Sequence, residues 1–271
     1  MKLTDGPDSP TAVAANDDAA LTLTGERTLP GLAVENYWFR RHEVVYQWLA
    51  PRCTGRDVLE AGCGEGYGAD LIARVARRVV ALDYDDAAVA HVRARYPRVQ
   101  AIQGNLAELP LPDGAVDVVV NLQVIEHLWD QAQFVAECAR VLRPSGLLIV
   151  STPNRVTFSP GRDTPVNPFH TRELNAGELT ALMVEGGFRM DGMYGVFHGQ
   201  ALRAMDARHG GSIIDAQITR ALADAPWPAE LERDVATVNT ADFDIVRAGD
   251  KGTAAHDIDD SLDLIAIAVR A

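Results

Sequence analysis

The stretch Asp57-Val-Leu-Glu-Ala-Gly-Cys-Gly-Glu-Gly-Tyr-Gly68 decides the fold of this chain of 271 residues. A short apolar run leads directly into glycines at alternate positions, and a helical pattern follows them. Glycine has no Cβ, so it lets a backbone turn tightly and approach a ligand closely. The stretch therefore predicts a β-strand, a ligand-binding turn and a helix, in that order.

Outward from this turn, strands and helices alternate along the chain. The predicted strands span residues 57–60, 79–82, 99–103, 116–122, 147–151, 188–197 and 262–269. The predicted helices between them span residues 69–75, 86–96, 131–142 and 176–185. Asp85 is the expected cap of the second helix, and a turn at 143–146 closes the third. Such alternation forms a parallel sheet with right-handed crossovers. The pattern predicts an α/β, doubly wound, Rossmann-like fold with helices on both faces of the sheet.

Two segments depart from this alternation. Residues 1–20 are rich in Ala and Asp without periodicity, which predicts a flexible tail before one domain at 21–271. Residues 199–260 carry no strong strand signal, and such a segment is too long for a simple turn. We interpret this insertion as a cap, a lid or a subunit contact, the last of which would make the protein a homodimer.

Charge and composition narrow the classes of partner. The chain has 25 Lys and Arg residues against 38 Asp and Glu residues, a formal net charge of -13. A nucleic-acid-binding protein normally needs basic surface to neutralise phosphates, so we expect no nucleic acid partner. No apolar run approaches the roughly 20 residues that span a bilayer, and the first residues do not read as a secretory signal. The sequence thus predicts no membrane span and a cytoplasmic location.

The sequence leaves two hypotheses for the ligand that the glycine turn binds. Asp83 ends the next predicted strand, about 20 residues beyond the first glycine, where a carboxylate can accept both ribose hydroxyls of a nucleoside. Residues 64–69 satisfy the G-x-G-x-x-A dinucleotide pattern, which indicates an NAD-dependent dehydrogenase or epimerase. Glu60, however, would repel a pyrophosphate and suits a ligand with positive charge. Lys occurs only at positions 2 and 251, so the Tyr-x-x-x-Lys pair of short-chain dehydrogenases is lacking.

Residues 57–151 resemble the core of the class I S-adenosylmethionine-dependent methyltransferases, in their small-molecule branch. Besides Glu60, the glycine turn and Asp83, the resemblance rests on the segments 103–110, 116–117 and 143–146. It implies a seven-stranded sheet in the order 3-2-1-4-5-7-6, with the last strand antiparallel. It also implies S-adenosyl-L-methionine as the cofactor.

The same resemblance implies which residues bind the cofactor. Glu60 and the glycine turn would hold the methionine part, and Asp83 the ribose. Asn105 and Leu106 would face the adenine, although the family usually has Asp at position 105. The full cofactor-binding set that we expect is Glu60, Gly62, Cys63, Gly64, Gly66, Asp83, Tyr84, Asn105, Leu106, Asn121 and Gln123.

Glu126-His127 follows the fourth predicted strand, where ligands bind in open α/β sheets. The pair is similar to the Glu-His pair of many methyltransferases that act on hydroxyl groups. His127 is our candidate general base, supported by Glu126. Alternatively, Glu126, His127, Gln123 and His170 would hold a divalent cation such as Mg2+, which lowers the pKa of a bound hydroxyl. Related ubiquinone-pathway enzymes have an acidic residue at the place of Gln123, and a structural role for the pair also stays open.

Three further motifs point to the acceptor. Residues 24–30, 151–154 and 167–170 (TGERTLP, STPN and NPFH) resemble a bacterial subfamily that accompanies polysaccharide assembly. Its members include the mycobacterial methylmannose-polysaccharide 1-O-methyltransferases. The resemblance implies a small-molecule or oligosaccharide acceptor methylated on a carbohydrate hydroxyl, such as the 1-hydroxyl of a methylated mannoside. A quinone or other lipid phenol as acceptor, and a regulator that binds cofactor without catalysis, remain alternatives.

Overall fold

The computed structural model describes residues 27–223, 225–249 and 256–271. The tail predicted at 1–20 lies outside these residues. The strands are β1 Asp57–Ala61, β2 Arg78–Asp83, β3 Val99–Gln103, β4 Val116–Leu122, β5 Leu142–Pro153, β6 Phe188–His198, β7 Phe243–Arg247 and β8 Asp263–Arg270. The α-helices are α1 Asn36–Leu49, α2 Tyr67–Ala73, α3 Asp86–Arg95, α4 Gln131–Val141, α5 Arg155–Phe158, α6 Ala176–Glu185, α7 Gln200–Arg208, α8 Ile213–Leu222 and α9 Ala229–Thr237.

The strands form one sheet in the order β3-β2-β1-β4-β5-β8-β6-β7. Neighbours from β3 to β5 pair in parallel, and β8 runs antiparallel between β5 and β6. The α/β, doubly wound prediction is confirmed, as is the antiparallel late strand beside β5. The predicted number of seven strands is wrong, because β7 pairs with β6 at the edge of the sheet. This strand has only five residues, too few for its alternation to stand out within the insertion.

Side chains of alternate residues build two cores on opposite faces of the sheet. Val58 of β1 belongs to one buried cluster and its neighbour Leu59 to the other, as the two-residue period of a strand requires. Helices α1, α2 and α3 contribute to the first cluster, and α4 and α6 to the second. Both faces of the parallel strands are therefore covered, which explains their continuously apolar sequences.

Polar side chains fix where several helices begin. Asp85, which the sequence predicts as a cap, accepts a hydrogen bond from the backbone N–H of Ala87 at the start of α3. Asp130 caps α4 in the same way, and Asn175 with Glu178 forms a capping box on α6. Such caps satisfy backbone donors that the first helical turn leaves without partners. Within the described ranges, no helix is both long enough and apolar enough to cross a bilayer.

The described part of the insertion packs beside α1. Side chains of α7, α8 and α9, including Leu202, Ile213 and Leu231, share a buried cluster with Tyr37 and Leu49 of α1. The insertion therefore covers one face near the edge of the sheet formed by β6 and β7. The role of the insertion as a subunit contact stays a prediction.

A buried ion pair joins α1 to β8. The Arg41 guanidinium donates to both oxygens of Asp263 at 2.6 Å, from Nε and Nη2. The two side chains are only 3% and 0% exposed. Removing one partner of such a pair leaves a buried charge uncompensated and costs about 3–5 kcal/mol. The pair therefore fixes α1, two residues of which line the cavity described below.

Candidate active site

A cavity of about 690 Å³ opens at the carboxyl ends of β1, β2 and β4. One side is formed by the glycine turn and the residues after β2 and β3, namely Gly62, Cys63, Gly64, Asp83, Tyr84, Asn105 and Leu106. The other side is formed by residues after β4 and β5, including Gln123, His127, Trp129, Phe169 and His170. We call these two sides the glycine wall and the histidine wall. The sequence predicted both from the rule that ligands bind beyond strand ends in such sheets.

The glycine turn is held by backbone hydrogen bonds. The N–H groups of Gly62 and Cys63 both donate to the carbonyl oxygen of Leu82, at 2.8 and 3.0 Å. Gly64 has a φ of +52°, and a Cβ placed there would meet only Arg27 Cβ, at 3.9 Å. Gly64 therefore presents bare backbone to the cavity, a cradle that a ligand can approach.

Gly66 has a different role from Gly64. Its φ is +94°, and a Cβ there would lie 2.5 Å from Val92 Cγ2. Gly66 is absent from the cavity lining, so the expected direct contact with the cofactor gives way to close packing of the turn against α3.

Asp83 lies at the centre of the glycine wall. Its Oδ2 accepts from the Gly64 N–H at 2.7 Å, and its Oδ1 accepts from the Asp85 N–H at 3.0 Å. Each carboxylate oxygen has a second lone pair, so Asp83 can still accept ribose hydroxyls. Asn105 accepts from the Ala107 N–H at 2.9 Å through its side-chain oxygen, beside the 70% exposed ring of Tyr84 in the lining.

Glu60 and Asn121 lie behind the glycine turn, outside the cavity lining. Tyr46 donates its hydroxyl to Glu60 Oε1 at 2.6 Å, and burial raises the pKa of the Glu60 carboxyl to about 8. Asn121 donates from Nδ2 to the carbonyl oxygen of Ala61 at 2.7 Å. Glu60 lies within β1 and Asn121 within β4, and both side chains are buried behind the turn. Their expected part in binding the cofactor stays a prediction.

The cavity has a third part that the sequence analysis did not assign. Arg27, Thr28, His42, Tyr46 and Tyr67 line it from the N-terminal segment, α1 and α2. Arg27 forms an ion pair with Asp85 at 2.6 Å, and the hydroxyls of Thr28 and Tyr67 are 3.2 Å apart. Burial lowers the pKa of His42 to about 4, so this imidazole is neutral near pH 7 and a poor base. The TGERTLP motif at residues 24–30 contains Arg27 and Thr28 of this part, but in the sequence it indicated only the class of acceptor.

The histidine wall brings three predicted residues together. One ligand atom each of Glu126, His127 and His170 lies within 4.8 Å of the others. Glu126 is buried, and its Oε2 accepts from the Thr152 hydroxyl at 2.9 Å. Burial raises the pKa of Glu126 to about 7, an effect that His170 opposes.

The hydrogen-bond partners assign the protons of both imidazoles. His127 Nδ1 lies 3.0 Å from the carbonyl oxygen of Phe169, which can only accept. His127 therefore carries its proton on Nδ1, and Nε2 has the lone pair. His170 Nδ1 lies 2.7 Å from Glu173 Oε1, and Asn167 Nδ2 donates to His170 Nε2 at 3.0 Å. The two rings are 4.9 Å apart and nearly perpendicular.

Further hydrogen bonds join the two loops of the histidine wall. Thr171 donates to the Glu126 carbonyl oxygen from N at 2.8 Å and from Oγ1 at 3.1 Å. Gln131 Nε2 donates to the carbonyl oxygens of Ile125 and Arg172. The loops after β4 and β5 therefore form one rigid unit, and they place the imidazoles without help from the glycine turn.

The donor set of this wall would fit a divalent cation if His170 gave up its hydrogen bond from Asn167, because that bond occupies the Nε2 lone pair and Nδ1 faces Glu173. A carboxylate oxygen with two imidazole nitrogens is a mixture that transition ions bind readily, whereas magnesium prefers oxygen ligands. Gln123 lines the same cavity and donates from Nε2 to Ser151 Oγ at 3.2 Å. Its φ is +57°. The part of Gln123 in binding an ion or the cofactor stays a prediction.

Comparisons with known proteins agree with this geometry. The family described as "Methyltransferase domain" matches residues 59–150. The chain is 73% identical over 263 residues, 97% of its own length and 94% of the relative's, to a Mycobacterium tuberculosis (strain H37Rv) protein named "Probable S-adenosylmethionine-dependent methyltransferase". It is 35% identical over 105 residues to a ubiquinone biosynthesis O-methyltransferase of Rhizobium etli, which is 37% of this chain and 42% of that one.

Solved structures show the same fold. One is an S-adenosylmethionine-dependent methyltransferase of Mesorhizobium loti, which matches with a TM-score of 0.54 at 17% identity. The match covers 86% of this chain and all of that one, 100%. At this level of identity the likeness concerns the arrangement of strands and helices alone.

Proposed function

This chain belongs to the S-adenosylmethionine-dependent methyltransferases, and from that premise we propose that it methylates a carbohydrate hydroxyl. The specific candidate is the 1-hydroxyl of a methylated mannoside used in polysaccharide biosynthesis. The observation that carries the proposal is the cluster of Glu126, His127 and His170 across the cavity from the glycine turn. Such a cluster suits an acceptor whose proton must be removed, as an alcohol's must. The dehydrogenase hypothesis is excluded, since the family is that of methyltransferases.

The cofactor would lie along the glycine wall. Gly64 offers open backbone, Asp83 offers carboxylate lone pairs for the ribose, and Asn105 with Leu106 would flank the adenine. S-adenosylmethionine supplies the electrophilic methyl carbon on a sulfonium. The chain's task is then to hold the acceptor oxygen in line with that carbon and to take its proton.

His127 is the residue that we propose as the base. Its Nε2 accepts the hydroxyl proton, while the acceptor oxygen bonds to the methyl carbon and the electrons of the broken S–C bond stay on sulfur. The products are the methyl ether and S-adenosylhomocysteine, with one proton left on the imidazolium. The carbonyl oxygen of Phe169 accepts from Nδ1 and so holds the ring in the required tautomer.

A divalent cation is the alternative activator at the same wall. Glu126, His127 and His170 would hold it, with Gln123 nearby, and a bound ion would lower the pKa of the acceptor hydroxyl. We include Mg2+ as the candidate ion, with Mn2+ as the comparison. An enzyme stripped with EDTA and assayed with each ion separates the two accounts: restored turnover supports the ion, and undiminished turnover supports the base.

Two of the motifs that resemble the polysaccharide-associated subfamily, STPN and NPFH, contribute to the histidine wall, and the third, TGERTLP, contributes to the lining of the same cavity, which supports a sugar acceptor. Thr152 orients Glu126, and Asn167 holds His170. Asn154 donates from Nδ2 to the carbonyl oxygen of Ser261 at 3.1 Å, which ties the loop after β5 to β8. The relative named for ubiquinone biosynthesis supports a second candidate, methylation of a lipid phenol, over the 105 residues that it shares.

An acceptor screen with radiolabelled S-adenosylmethionine tests the proposal. We expect label in methylated mannosides and short manno-oligosaccharides, and the position of the new methyl group follows from NMR of the product. Catechols and quinols serve as the matched phenols. Label in the phenols with none in any sugar would replace the first candidate by the second.

A further inference from the structure

We propose that Trp129 is the platform on which a pyranose ring of the acceptor stacks, with Phe169 beside it; this rests on the proposed sugar methylation. Trp129 is 93% exposed and Phe169 46% exposed, and both line the cavity next to His127. Tryptophan is on average a highly buried residue. Two exposed aromatic side chains in one cavity lining together offer an apolar surface that a ligand could cover.

The backbone on both sides of Trp129 is fixed. The Leu128 carbonyl oxygen accepts from Thr171 Oγ1 at 2.7 Å, and the Leu128 N–H donates to Ile125 at 3.1 Å. On the other side, Asp130 accepts from the Gln133 N–H at 2.8 Å as the cap of α4. The exposure of Trp129 is therefore built into a rigid loop, and the same loop carries the candidate base.

The surroundings of the indole favour a sugar. A pyranose has a C–H face, which stacks on an aromatic ring, and a rim of hydroxyls, which need polar partners. Trp129 and Phe169 offer the aromatic surface, and the polar edge of the His170 ring, the His127 Nε2 lone pair and the oxygen of the Thr171 hydroxyl lie in the same lining. A lipid chain would need a continuous apolar groove, which these three polar residues interrupt. The net charge of -13 also favours a neutral ligand over an anionic one.

Steady-state kinetics with the methylated mannoside acceptor test the platform. For Trp129→Ala we expect the acceptor KM to rise about tenfold, as for loss of a central aromatic anchor. Trp129→Phe keeps a flat ring that can still stack on the C–H face of the sugar, so its KM should stay within about threefold of the wild type. The affinity for S-adenosylhomocysteine should not change in either variant. Val184→Ala is the matched control, since Val184 is 54% exposed on α6 and lies outside the lining.

Fluorescence quenching gives a second measurement, independent of turnover. Acrylamide should quench the exposed Trp129 strongly, and saturating mannoside with S-adenosylhomocysteine should protect it. In Trp129→Phe, the same ligands should not reduce the acrylamide quenching of the remaining tryptophans. An unchanged KM in Trp129→Ala, together with no protection in the wild type, would overturn the platform.

The remaining outcomes are also decisive. If the wild type methylates no sugar, the proposed function fails, whatever the variants do. If it methylates sugars but Trp129→Ala lowers only the mass found by sedimentation, the indole contacts a second copy of the chain and the platform is wrong. If Trp129→Ala raises the KM for phenols but not for sugars, the platform serves a planar phenol and the sugar assignment is overturned.

Discussion

The two walls of the cavity are built by different means. The glycine wall follows the ends of the neighbouring strands β1, β2 and β3, and backbone amides, carbonyls and positive φ angles give the shape of its glycine turn. The histidine wall joins two loops that are some 40 residues apart in the chain, and side-chain hydrogen bonds hold them together. One wall therefore depends on a local pattern of glycines. The other depends on tertiary contacts between residues of particular chemistry.

Two buried glutamates show the same contrast in a single residue type. Glu60 and Glu126 are both inaccessible, both accept from a hydroxyl and both have raised pKa values because of burial. Glu60 lies behind the turn, where its carboxyl supports the backbone. Glu126 lies within 4.8 Å of two imidazoles, where it can act in chemistry. Burial is thus common to both carboxyls, and the difference between them lies in the neighbouring groups.

The largest effect that we expect comes from removing the chemistry of the histidine wall. His127→Ala should lower turnover by about 10²–10⁴-fold, the usual contribution of a general base, with the affinity for S-adenosylhomocysteine unchanged. Asp83→Ala is the matched variant of the glycine wall. It should instead weaken S-adenosylhomocysteine binding, since a hydrogen bond to a charged group contributes about 1.5–3 kcal/mol. Calorimetry and single-turnover rates check both, and loss of cofactor affinity in His127→Ala would contradict the division into two walls.

A pH series separates the two glutamates. A carboxyl whose pKa is raised by folding binds a proton more tightly in the folded state, so its contribution to stability is present below about pH 4.5 and is lost as pH rises. For Glu60 this loss should continue to about pH 8, and for Glu126 to about pH 7. The slope is at most about 1.4 kcal/mol per pH unit for each group.

Urea unfolding in EDTA at each pH measures this difference. Glu60→Gln should lose less stability than the wild type between about pH 4.5 and 8. For Glu126→Gln, the difference in stability from the wild type should level off about one pH unit lower. Identical curves for the wild type and Glu60→Gln would show that folding does not raise the pKa of the Glu60 carboxyl.

The smallest effect distinguishes two glycines of the same turn. Gly66→Ala should destabilise the fold by about 2 kcal/mol, because its Cβ would press on Val92 and its φ is left-handed. Gly64→Ala meets open space, so it should cost only about 1 kcal/mol of backbone strain while weakening S-adenosylhomocysteine binding. Thermal unfolding and calorimetry on the pair check this. Equal losses of affinity, with equal stabilities, would remove the distinction between a ligand-facing and a packing glycine.

The sequence predicted the parts of the molecule that local patterns determine. The bounds of β3 and β4 match the structure residue for residue, and Asp85 caps α3 as expected. Periodicity, glycines and capping residues act over a few positions, so they are visible without coordinates. The strand β5 begins at Leu142 rather than at 147, because the segment 143–146 was interpreted as a turn and instead forms an irregular strand start.

The features of the cavity that the sequence did not predict depend on contacts between residues from separate segments of the chain. His42 lines the cavity and Thr152 donates to Glu126, although these residues lie in separate segments of the chain, so no single short pattern shows that they come together. The burial of Glu60 likewise depends on Tyr46, which comes from α1. The glycine wall could therefore be located in advance, whereas the histidine wall could only be named residue by residue, without the hydrogen bonds that arrange it.

The position of β8 has a consequence for the order in which the protein is made. This strand is last in chain order among the described elements, yet it fills the gap between β5 and β6. Until the ribosome has released residues 263–270, both of those strands have an open edge, which invites pairing with other chains. Asp263 and the carbonyl oxygen of Ser261 also anchor α1 and Asn154. We therefore expect a nascent chain to complete its sheet only after residues 263–270 have left the ribosome, and to expose the edges of β5 and β6 until then.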